Sequence, residues 1–174
     1  MQTIADRPVL EDLQASKQRW ARLPVRDKIG YLDRVRRLTV QHAQDWAEAG
    51  ATLKGFPPDS PLGVMEEWLQ GPMSLASYLT DLITSLTALD RGDDLLAGIR
   101  LRTRPDGQVI ARVLPRNVYD LLQQARVDVW MQPDVTVDAL PASLAPFYRQ
   151  TDPPGRVTLV LAAGVLFASA AVAA

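Results

Sequence analysis

Val157-Thr158-Leu159-Val160-Leu161-Ala162-Ala163-Gly164-Val165-Leu166-Phe167-Ala168-Ser169-Ala170-Ala171-Val172-Ala173-Ala174 closes the chain without a charged side chain. Two physical readings compete for it. Val157 to Leu161 is a run of β-branched residues and leucine behind the turn Asp152-Pro153-Pro154-Gly155. That is the pattern of a strand buried on both faces of a parallel sheet, here ending at the small-residue bend Ala162-Ala163-Gly164. Alternatively the whole stretch is one apolar helix, roughly 27 Å long at about 1.5 Å per residue, close to the thickness of a bilayer core. The first reading predicts a chain that turns into an α/β sheet at its end. The second predicts a globular domain with a membrane tail.

The rest of the composition narrows the choice of chemistry. The chain has 174 residues, 47% of them apolar and 22% charged, which suits a folded domain with its own core. Its net charge is −1, so no global field steers it to nucleic acid or acidic lipid. It has no cysteine, which excludes disulfides, thiolate zinc sites and a cysteine nucleophile. His42 is the only histidine, which excludes a multi-histidine metal centre. The start, Met-Gln-Thr-Ile-Ala-Asp-Arg-Pro, lacks a basic-then-apolar signal pattern, and the expected compartment is the cytoplasm.

Residues 1–92 read as helical. Leu10, Leu13 and Trp20 share one side of a helix over Pro8 to Arg22, broken by Leu23-Pro24. Ile29, Leu32, Val35, Leu38, His42 and Trp46 recur at spacings of three and four, which predicts a second helix from Val25 to Ala49 stopped by Gly50. Its arginines are interleaved with Asp27, Asp33, Asp45 and Glu48 and read as a solvated face. Ser60-Pro61 is a helix start, and Gly71-Pro72 ends or kinks that helix. Leu75, Leu79, Leu82, Leu86 and Leu89 then mark the strongest helix of the chain, closed by Arg91-Gly92.

The pattern changes over 93–156. Ile99 to Thr103 and Val109 to Val113 read as strands of a hairpin around Pro105-Asp106-Gly107. Asn117 can cap a short helix carrying Val118, Leu121 and Leu122. Val127 to Met131 is a further short strand, and Ala142 to Tyr148 one or two helical turns. The acidic pairs Glu11-Asp12, Glu66-Glu67 and Asp93-Asp94 are neighbours that do not face each other and read as solvated surface, not as an acid–base pair. No Gly-x-Gly-x-x-Gly, P-loop, His-Glu-x-x-His or Gly-x-Ser-x-Gly motif occurs.

Five segments in order carry a resemblance: Glu67-Trp68-Leu69-Gln70-Gly71-Pro72; Arg104-Pro105-Asp106-Gly107; Arg112 to Asp120; Val129-Trp130-Met131-Gln132-Pro133; and Gly155 to Leu161. Together, over roughly Gln18 to Gly164, the chain resembles the N-terminal part of a bacterial branch of the aldehyde dehydrogenase superfamily. The resemblance implies an α+β to α/β fragment: N-terminal helices, a β-hairpin, and a first strand of a Rossmann-like NAD-binding domain at Val157–Leu161. It implies NAD or NADP as cofactor, an aldehyde as substrate in the full-length family, and contact of the cofactor with Ala162, Ala163 and Gly164. It also implies oligomer contacts through the hairpin. The family has an asparagine where this chain has Val165, and its catalytic cysteine and glutamate lie far downstream of the matched region.

Aldehyde oxidation by that route needs a thiolate, donors for the oxyanion and a nicotinamide. This chain has no thiol, so the expectation is a fragment 157–174 of a nucleotide-binding sheet with an aberrant apolar end, inactive and without tight NAD binding. The alternative expectation is a helical binding or scaffold domain anchored by a transmembrane helix over 157–174. Neither reading calls for nucleic acid or a metal.

Overall fold

The structure is a computed structural model that describes residues 7–57, 60–116, 118–122 and 124–158. Its described residues fall into two compact units. Arg91–Thr151 forms one, and the described parts of Met1–Asp90 and Asp152–Ala174 form the other. The return segment from Asp152 therefore groups with the helices, whereas the sequence placed it with the hairpin over 93–156.

The first unit is helical. It contains α1 (Arg7–Ala21), α2 (Val25–Gln41), α3 (Ala43–Leu53), α4 (Pro61–Trp68), a π turn (Leu69–Met73) and α5 (Ser74–Arg91). The single helix expected from Val25 to Ala49 is two helices. His42 breaks it, with φ −102° and ψ 13°, between the helical and extended regions. Just upstream, the Thr39 hydroxyl donates to the Val35 carbonyl, a back-bond that bends helices. Nor does Gly50 stop the second piece. It lies buried inside α3, which runs on to Leu53, and Gly55 with φ +82° takes the left-handed position beyond it.

Closeness between α3 and α4 is set by small residues. Ala43, Ala47 and Ala51 are buried along α3. A Cβ at Gly50 would run into Glu67 Oε2, and one at Gly63 would lie 2.6 Å from the Phe56 ring. Ser60 starts α4 as expected, its hydroxyl accepting from the Gly63 N–H at 3.3 Å, with Pro61 in the first turn. Pro72, without an N–H, sits inside the π turn. The Ser74 hydroxyl donates to the Leu69 carbonyl there at 2.7 Å, closing the widened turn from its side chain. On α5 the expected leucine stripe is real: Leu75, Leu79 and Leu86 are buried, and Gly92 (φ +74°) follows its end.

Large apolar residues are less buried than their periodicity implied. Leu10, Leu13 and Trp20 of α1 and Val35 and Leu38 of α2 are each about half exposed (44–53%), while Lys28 and Thr39 are the buried residues of α2. The Lys28 ammonium donates to the Ala21 carbonyl at 3.0 Å, a cation at the end of α1 where the helix dipole favours it. Burial lowers the Lys28 pKa.

The second unit is built on a three-stranded antiparallel sheet in the order β1 (Arg100–Thr103), β2 (Val109–Leu114), β3 (Val127–Trp130). The hairpin is the expected one. Arg100 faces Arg112 and Thr103 faces Val109. Pro105-Asp106-Gly107 form a three-residue loop in which the Gly107 N–H donates to the Arg104 carbonyl and Gly107 takes φ +86°. Val109, Ile110 and Ala111 are successive buried residues, so the central strand is covered on both faces. The register against β3 shifts between Arg112 and Leu114. Short helices α6 (Val118–Leu122), α7 (Leu140–Ser143) and α8 (Pro146–Arg149) complete the unit. The fold is thus of the α+β kind.

Val157 and Thr158 belong to neither strand nor helix. The remainder of the strand expected at Val157–Leu161, the transmembrane alternative from residue 159 onward, and the Asn117 cap lie outside the described residues. Among the described residues no helix is long and apolar enough to cross a membrane.

Candidate functional site

The approach to the closing apolar stretch is tied to α1 of the helical unit by side-chain hydrogen bonds and an ion pair. Gln18, on α1, uses both ends of its amide across more than 130 residues of sequence. Its Nε2 donates to the Pro153 carbonyl at 3.1 Å and to Asp152 Oδ1 at 3.3 Å, while its Oε1 accepts from the Gly155 N–H at 2.9 Å. Arg22, one helical turn on, meets Asp152 Oδ1 at 2.9 Å. The Arg22 guanidinium, with help from Gln18, holds the Asp152 carboxyl below its ordinary pKa. Gly155 is required by the close approach, because a Cβ there would lie 2.5–2.6 Å from the α1 backbone at Lys17 and Gln18. Pro153 is buried in the same contact.

This docking leaves an open groove of about 760 Å³ lined by residues of α1, the Leu23 break, Tyr31 and Arg156–Thr158. Trp20 and Tyr31 meet edge to face with centroids 5.7 Å apart. Both remain about half exposed. The charged residues of the described lining are Lys17, Arg19 and Arg156, and no carboxylate is among the described lining residues. The Lys17 ammonium donates to Gln14 Oε1 at 2.7 Å. Among the hydroxyls, Ser16 donates to its own helix at the Asp12 carbonyl, 2.7 Å away. A nucleophile needs an adjacent base, and among the described residues this lining has neither histidine nor carboxylate to serve as one. The groove has the makings of a binding surface, not of a catalytic centre.

Other chemistry-bearing residues resolve into structural roles. Glu67 is 2% exposed and its Oε1 lies 2.5 Å from the Lys54 ammonium, which also meets Glu66 at 3.0 Å. The two glutamates, Glu67 first, raise the Lys54 pKa, which keeps it a cation and not a nucleophile. The Glu66-Glu67 pair is therefore not plain solvated surface as expected: Glu67 points into the helical packing. Glu11, Asp12, Asp93 and Asp94 are exposed, with Asp94 accepting from the Leu96 N–H in a local turn. His42 is exposed, not half-buried on an apolar side, since α2 ends before it and its phase is lost; its Nδ1 lies 3.7 Å from Asp45. Arg36 and Arg37 both bind Asp33, so two of the five basic residues on α2 share one carboxylate locally.

In the sheet unit, Arg112 grips Asp128 through two nitrogens at 2.8 and 3.2 Å, and Arg102 adds a third contact at 3.3 Å. The Arg112 guanidinium is the main cause that holds the Asp128 carboxyl below its usual range. Among the described residues no group of three or more His, Cys, Asp or Glu could hold a metal.

Ala162, Ala163 and Gly164, expected to contact a cofactor, lie outside the described residues. Sequence reasoning missed Gln18, Tyr31 and Arg156. Only the joining of α1 to a segment more than 130 residues away gives them a common place, and no local pattern marks such a pairing. No protein-family model, curated protein or solved structure matches the chain.

Proposed function

We propose that Gln18 to Gly164 form the N-terminal region of an aldehyde dehydrogenase-like oxidoreductase. In this reading Val157–Leu161 opens a Rossmann-like sheet for NAD or NADP, Ala162-Ala163-Gly164 approach the cofactor, and the working compartment is the cytoplasm. The 174-residue chain by itself does not oxidise aldehydes, because it has no thiol to form the thiohemiacetal and a nucleotide crevice needs further βαβ units.

One observation carries the reading. Each of the five segments of the resemblance contains at least one described residue held by close packing, a turn or an ion pair. Glu67 is buried and Gly71 abuts the Trp46 indole. Gly107 takes the left-handed turn position. Arg112 holds Asp128, and Trp130 lies beneath the Arg104 guanidinium at 4.4 Å. Gly155 leaves no room for a Cβ. Residues fixed by close packing and turn geometry are those that related chains would share for a physical reason.

Two measurements test it. Calorimetric titration of the chain with NAD is expected to show no micromolar binding, and such binding would defeat the claim of an incomplete cofactor site. A chimera joining residues 1–161 to the remaining nucleotide-binding and catalytic regions of a family enzyme is expected to fold and to form NADH from an aldehyde. A folded chimera that binds no NAD would refute the assignment.

A further inference from the structure

We propose that the groove between α1, Tyr31 and Arg156–Thr158 binds a small aromatic carboxylate, independently of any dehydrogenase ancestry. The first observation is charge. Lys17, Arg19 and Arg156 line the groove with no carboxylate among the described lining residues. The nearby acid, Asp152, is already engaged by Arg22 and Gln18. Arg19 and Arg156 form no ion pair among the described residues, so their guanidinium forks are available to a carboxylate, whose two oxygens match that geometry. The second observation is the wall. Trp20 and Tyr31 pack edge to face, which commits an edge of one ring and leaves ring surface of both half exposed. Leu13, Leu23 and Val157 extend that wall with aliphatic surface. At about 760 Å³ the groove falls in the size range of small-molecule sites, mostly apolar with a few placed polar groups.

Apolar walls with cations and no acid select against neutral hydrocarbons less than they select for apolar anions. A flat ring on Trp20 and Tyr31 with its carboxylate toward Arg19 and Arg156 uses both features at once. The pairing is solvent-accessible, so its affinity falls as salt rises.

The test is titration of the full chain with 2-naphthoate and with its neutral counterpart 2-naphthalenemethanol, followed by calorimetry and tryptophan fluorescence. Naphthoate is expected to bind about fivefold more tightly than the alcohol, the upper scale of one solvent-exposed ion pair. Arg156→Gln and Arg19→Gln are each expected to weaken naphthoate by a similar factor and to leave the alcohol unchanged, and Trp20→Ala to weaken both ligands. Circular dichroism checks that each variant folds; because Arg19 and Arg156 stand on separate segments, either one alone suffices as the charge test. Equal affinity for the two ligands, naphthoate binding indifferent to both arginine variants, or no binding at all each overturns the proposal.

Discussion

The helical unit and the sheet unit are held together in opposite ways. In the helical unit the buried positions of α3 and α4 are alanines, glycines and one glutamate, and Leu10, Leu13 and Trp20 of α1 and Val35 and Leu38 of α2 stay half exposed. Its close contacts depend on the absence of atoms: no Cβ at Gly50, Gly63 or Gly155. In the sheet unit the interior is concentrated in three consecutive residues of one central strand, joined by Leu140. Apart from the buried leucines of α5, the first unit tolerates truncation of its larger side chains better than additions to its small ones. The second has the reverse sensitivity.

The largest effect is expected from a deletion in the sheet. Ile110→Ala, at a position 1% exposed, is expected to cost about 3 kcal/mol through lost burial and the cavity left behind. Chemical denaturation reads it directly. The same truncation at half-exposed Leu13 is expected to cost under about 1 kcal/mol, and equal losses at the two sites would end the contrast.

An addition in the helical unit comes next. Gly155→Ala is expected to destabilise by about 2 kcal/mol, because the new methyl meets α1 backbone that cannot rotate away. Hydrogen exchange should rise over 152–158. Gly30→Ala, mid-α2 with open space around it, is the control and should stabilise by roughly 0.5–1 kcal/mol.

The smallest effect is electrostatic and compares one aspartate from each unit. Both Asp128 and Asp152 have pKa values below the ordinary aspartate value of about 3.9. A depressed folded-state pKa means the stabilisation is complete above that ordinary value and is lost as pH falls through the lower folded value. Asp128 is 18% exposed and gripped by Arg112, while Asp152 is 66% exposed. Thermal melts below pH 4 should therefore show Asp128→Asn flattening the acid limb in high salt as well as low, and Asp152→Asn only in low salt. Identical salt responses would show that burial does not separate the two pairs.

Much of the element order could be read from the chain because its signals are local. Ser60-Pro61 marks a helix start, the α5 leucines mark a stripe, and Pro105-Asp106-Gly107 marks a turn through steric preferences that act within a few residues. Where several signals overlapped, the reading failed. A stripe from Ile29 to Trp46 concealed the break at His42, since one residue leaving helical geometry hardly disturbs a three-four spacing. Gly50 looked like a stop because glycine serves both helix ends and close helix contacts, and only the neighbour, Glu67, tells which. For the candidate site, the cofactor residues expected at Ala162-Ala163-Gly164 lie outside the described structure. The groove that the structure does describe combines α1 with Arg156, which no short-range pattern could join.

The sequence by itself determined the absence of thiol chemistry, the helices before Gly92, the hairpin after it and the uncharged closing stretch. All of these follow from residue type and spacing. Tertiary structure alone decided that Glu67 is buried, that Gly155 is pressed against α1, and that Arg156 shares a groove with Trp20. Each depends on which surfaces meet, and such contacts are set by the packing of distant segments, not by the propensities of near ones.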